Sequence, residues 1–197
     1  AKKHNVTLSA SGYQDVCWTH MVSLMAASMH RIDRIEGILL ANVESLGSVM
    51  CKAVGVGLSE EEFYKTIASN PVPSLAIDSN EYLCSLMSLT VKEHKRKITP
   101  VLNQNSEPLY CKTLDLNVPQ NAVIGWIDAL VTETTQGISI ESAWSVAMVP
   151  VESEYQEWKI VGDPAMNQFR MSRPPVVEIT CASIVNRIKD VINAQPG

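Results

Sequence analysis

The apolar residues of this chain change their period part-way along it, and that change limits the folds open to it. Val22, Met25, Ala26 and Met29 recur at the i, i+3, i+4, i+7 spacing of one buried helical face. A second helical pattern spans 35–53. Ser59 can cap the next helix, because Glu62 three residues on completes a capping box, and a further helix opens at 78–80 and runs to about 89. Later runs read differently. Residues 97–102, 109–114 and 138–149 look like strands, with 158–161 returning as the hairpin partner of 138–149 across the polar turn 152–157. The apolar residues of 121–132 suit either a helix or a buried strand, and a helix is expected. Thr180 caps a closing amphipathic helix that carries Ile184, Val185, Ile188 and Val191. Helices first and strands later describe an α+β fold. The expectation is one domain over 1–197, with a mostly helical lobe (1–95) packed on a mostly antiparallel sheet lobe with a C-terminal helix (96–197).

Composition excludes several function classes. With 46% hydrophobic residues among 197, the chain can bury a core and is not a disordered segment. No apolar run reaches the roughly 20 residues of a membrane span, so a soluble protein is expected. The net charge of -5 argues against a nucleic-acid partner, which calls for clustered positive charge. The one basic run, 92–97, contains Glu93 and reads as a solvated face. The five cysteines form no CxxC pair, and His4, His20, His30 and His94 make no ligand spacing, so no metal site is expected. No apolar leader is visible at the start. That fits a cytoplasmic protein, a delivered effector or a mature secreted form, and oligomeric state is left open.

One cysteine stands where chemistry could use it. A thiolate is nucleophilic only if its pKa is lowered, and the free N–H groups at a helix start do this. Cys17 is expected at such a start. Cys51 and Cys84 fall inside helices, Cys111 in a strand and Cys181 near the end of the chain.

The segment Gln14-Asp15-Val16-Cys17-Trp18, leading into an Ala- and Met-rich helix, resembles the nucleophile segment of papain-like cysteine peptidases. The stretch 142–149 followed by 158–164, which ends in Asp163-Pro164, resembles the C-terminal hairpin of that family's bacterial leader-peptidase and effector-protease branches. The resemblance implies a papain-like fold, a peptide or protein substrate and no cofactor. It also implies Cys17 as nucleophile and Asp163 as the group that orients the base. Gln14, three residues before Cys17, stands near the family's oxyanion-binding Gln, and Trp18 and Trp144 flank the expected groove.

The position of the family's catalytic His is occupied by Ser142, whose hydroxyl is no base near neutral pH. The expectation is therefore a thiol hydrolase (peptide cleavage, or acyl transfer such as deamidation) that is inactive as written. The alternative is a non-catalytic pseudoenzyme that binds a peptide or protein as an effector domain.

Overall fold

The computed structural model describes residues 1–196, apart from the side chains of Met166 and Asn167. The first helix is a widened turn, Asp15–His20, that tightens into α1 (Met21–Ala26). Then come β1 (Arg31–Asn42), α2 (Ser48–Ala53), α3 (Glu60–Phe63) and α4 (Leu75–Leu86). The strands β2 (Val91–Leu102), β3 (Leu109–Cys111), β4 (Leu116–Val118), β5 (Val123–Thr134), β6 (Ser139–Ala147), β7 (Tyr155–Asp163) and β8 (Met166–Ser172) follow, and α5 (Val176–Asn193) closes the chain. The fold is mixed α+β.

Strand β1 decides the architecture. The main sheet has the order β2-β5-β6-β1-β7-β8, and β1 runs parallel to β6 while the other neighbours are antiparallel. This corrects four expectations. Most of the helix expected over 35–53 is replaced by a central strand, with helix only at Ser48–Ala53. The helix expected over 121–132 is β5. The sheet is mixed rather than antiparallel, and β6 and β7 are not a hairpin because β1 lies between them. A strand from the half expected to be mostly helical thus sits in the middle of the sheet.

The physical reason lies in the run Ile38-Leu39-Leu40-Ala41. It is apolar at both parities, so periodicity alone cannot separate a buried helix from a central strand. In the sheet, Ile35 and Leu39 pack under the helices, while Ile38 and Leu40 point to the other face. The basic run 92–97 lies on edge strand β2, alternating exposed lysines with His94 and Arg96, which turn inward to Thr132 and Asp128. Charged side chains on such an edge discourage pairing with another chain.

Two clusters fill the core. In the larger, Trp18 meets Trp144 at 4.7 Å and Trp158 at 4.6 Å between ring centroids. Trp158 can lie flat on β1 only because Gly37 is beneath it: a Cβ there would fall 2.4 Å from the indole ring. The smaller cluster packs Cys51, Phe63, Cys111 and Val118 around the start of β5. Ser59 and Glu62 form the expected capping box at α3. No described helix is long and apolar enough to cross a membrane.

Candidate functional site

The structure does not bring Cys17, Ser142 and Asp163 together. The turn that carries Cys17 does face β7: its carbonyl accepts hydrogen bonds from Gln156 Nε2 at 2.8 Å and Trp158 Nε1 at 3.1 Å. The sulfur, however, is in the core at 1% exposure, and burial pushes the thiol pKa up, away from thiolate character. Ser142 is 2% exposed and donates to Asn80 Oδ1 at 2.7 Å. It aligns with Gly37, which aligns with Trp158. That places it two strand spacings, about 10 Å, from β7. Asp163 is exposed and pairs with Arg31, five residues and so about 16 Å along β7 from Trp158. Trp18 and Trp144 are core residues packed against one another with their rings tilted by 47°.

Gln14 is the expected site residue that lies in a polar opening. It lines a cavity of about 450 Å³ between the first helix and α4, together with Ser11, Asp15, Asp78, Ser79 and Tyr82. The lining contains two carboxylates and no Lys, Arg or His. Asp78, in the first turn of α4, is exposed and makes no ion pair among the described residues.

Asp15 anchors the wall. Its Oδ2 accepts from Ser11 Oγ at 2.9 Å and faces Arg187 Nη1 of α5 at 2.8 Å, while Oδ1 lies 3.1 Å from His20 Nε2. The same His20 nitrogen is 3.3 Å from the Tyr82 hydroxyl across the gap to α4. The widened turn makes this possible. In an α-helix, residues five apart are about 140° apart around the axis, but i→i+5 bonding widens the turn and brings them onto one face. The Met21 N–H bonds to the Val16 carbonyl in that pattern.

Sequence reasoning missed Asp15, Asp78, His20 and Tyr82. Asp15 lies inside the segment 14–18 but has no role in the family pattern, 78–80 reads as a helix start, and His20 makes no ligand spacing.

A glycine-rich turn, Gly55-Val56-Gly57, precedes α3, with φ of 81° and 90° at its glycines. It is no anion cradle. The Gly57 N–H is bonded to the Val123 carbonyl, Leu116 packs against Gly57, and the helix beyond is capped by its own Ser59 and begins with three glutamates. Among the described residues, no group of three or more His, Cys, Asp or Glu side chains could hold a metal ion.

Fold and site together define a mixed α+β chain with a carboxylate-walled cavity between its first helix and α4. No family model and no curated protein sequence matches it. Among solved structures, the chain is similar along 100% of its length to an amine dehydrogenase from Mycobacterium smegmatis, with 32% identity and a TM-score of 0.85. It spans 58% of that chain's length.

Proposed function

We propose that this chain is the amine-binding part of a dehydrogenase that oxidises amines. The likeness to the amine dehydrogenase supports the reading, and the charge of the cavity is the observation that carries it. Asp15 and Asp78 stand on its walls without a lining cation, while Ser11, Ser79, Gln14 and Tyr82 offer further hydrogen-bonding groups. An ammonium group has three N–H donors and one positive charge, and such a wall matches both. Asp15 is already engaged by Arg187 and His20, so the unpaired Asp78 supplies most of the net attraction.

Oxidising an amine also needs an acceptor for two electrons, commonly a dinucleotide. The glycine-rich turn at 55–57 does not fit one, because its N–H group is used and its helix is acidic. In this reading the acceptor is held by protein outside the described residues.

Calorimetric titration with n-butylammonium chloride at pH 7 tests the reading. Saturable binding is expected, weakening with added salt. Asp78→Asn should reduce affinity about two- to fivefold, the scale of an exposed ion pair. Absence of binding, or binding indifferent to Asp78→Asn, would overturn it.

The papain-like thiol hydrolase, and its non-catalytic peptide- or protein-binding form, is the second proposal. What favours it is the contact of the Cys17 turn with β7. The burial of the sulfur and the spread of Ser142 and Asp163 count against it. In Ser142→His, rapid labelling of Cys17 by iodoacetamide at pH 6 is its expected result, and labelling no faster than at the other buried thiols would remove it.

A further inference from the structure

We propose that the body of the amine lies in a second, apolar cavity that adjoins the acidic one, so that the preferred ligand is an apolar monoamine without a carboxylate. This rests on the amine-binding reading above and adds the substrate class to it. The second cavity has a volume of about 350 Å³. Gln14 and Leu75 line both cavities, so the two meet at that pair. Its walls come from distant parts of the chain: Leu39 and Leu40 of β1, Met50 of α2, Trp144 and Val146 of β6, and Val176 at the start of α5.

Size and charge give the ligand class. At about 30 Å³ per heavy atom, the space holds a body on the order of ten atoms. The charged groups lining it are Glu154 and Glu178, and Glu154 already accepts from the Asn42 N–H at 2.8 Å. Across the two cavities the lining holds four carboxylates (Asp15, Asp78, Glu154 and Glu178) and no Lys, Arg or His. A ligand carboxylate therefore meets repulsion from Asp78, Glu154 and Glu178 with no lining cation to receive it, since Arg187 lies outside the lining and is taken up by Asp15. Aliphatic carbons meet leucine, methionine, valine and tryptophan. Each methylene moved from water into such a wall should tighten binding about three- to fourfold.

The test is a calorimetric series with the whole chain and ethyl-, propyl-, butyl- and pentylammonium chloride, with norleucine as the carboxylated counterpart of pentylammonium. The expected result is affinity rising about threefold per methylene and norleucine at least tenfold weaker than pentylammonium. Ser45→Trp should flatten the series, since Ser45 is an exposed residue on the cavity wall that a large ring would fill without disturbing the core. Equal affinity along the series, with binding still sensitive to Asp78→Asn, would overturn this inference and leave the amine-binding reading standing. Norleucine binding as tightly as pentylammonium would overturn the exclusion of carboxylates. If none of the four amines binds, the amine-binding reading itself fails.

Discussion

Gly37→Ala is the substitution whose effect follows most directly from the coordinates. The added Cβ would stand 2.4, 2.5 and 2.8 Å from three carbons of the Trp158 ring, closer than packed carbons approach. Trp158 is 1% exposed, held by Trp18 at 4.6 Å and by the hydrogen bond from its Nε1 to the Cys17 carbonyl. It cannot move aside without disturbing one of them. Overpacking of this kind costs about 1–3 kcal/mol, and weakening the indole bond adds about 1 kcal/mol. Replacing glycine within a strand returns about 0.5–1 kcal/mol through the unfolded chain. The net cost is about 1–3 kcal/mol, or a fall in Tm of about 3–10 °C for a chain of this size. Thermal and urea unfolding measure it. In a Trp158→Leu background the penalty should shrink to near zero, because the clashing ring is gone. Because Trp158 holds the turn that carries Gln14 and Asp15, Gly37→Ala should also weaken butylammonium binding. An unchanged unfolding midpoint, or an equal cost in the Trp158→Leu background, would refute the packing argument.

Four further outcomes follow from other parts of the molecule. Arg96 makes a two-point contact with Asp128 (2.8 and 2.9 Å) and also donates to the Val72 carbonyl, so Arg96→Met strands a buried carboxylate. It should cost about 3 kcal/mol by urea unfolding, and adding Asp128→Asn should recover part of that loss. Ser142→Ala removes the donor to Asn80 Oδ1 and should cost about 1–2 kcal/mol. Burial pushes Cys51 and Cys84 up to about 11, whereas an unfolded thiol titrates near 8.5, so between those values the folded state holds more protons. Their contribution is intact below about pH 8.5 and is lost as pH rises toward 11. The urea midpoint should therefore fall over that window, less steeply in Cys84→Ala. Native-state labelling at pH 8 should modify exposed Cys181 first and the four buried thiols only on unfolding.

Where one reading of the pattern was physically available, the sequence was legible. The first helix, the capping box of α3, the strand at β6 and the closing helix all lie close to their expected places. Where apolar residues occupy both parities, as in 35–42 and 123–131, the helix and central-strand readings were equally good and the choice went wrong. The candidate site was less legible still. The segment 14–18 drew attention for Cys17, yet the side chains that reach an opening there are Gln14 and Asp15, one turn face away from the buried sulfur. Asp78 and Tyr82 belong to an element some sixty residues on, and nothing in their local sequence distinguishes them from an ordinary helix surface.

Local chemistry in the chain determined its class: enough apolar surface for a core, a helix-to-strand shift in period, and capping groups such as Ser59 with Glu62, each acting over a few residues. Tertiary structure alone decided the rest. It placed β1 between β6 and β7, where Ile35 and Leu39 are buried under the helices while Ile38 on the other face stays exposed. The widened turn brought His20 to Asp15, and the approach of α4 to the first helix formed the carboxylate-walled opening, with Arg187 of α5 holding Asp15. Those outcomes depend on which distant segments meet, and the spacing of residues along a chain does not encode the cost of the contacts it has yet to make.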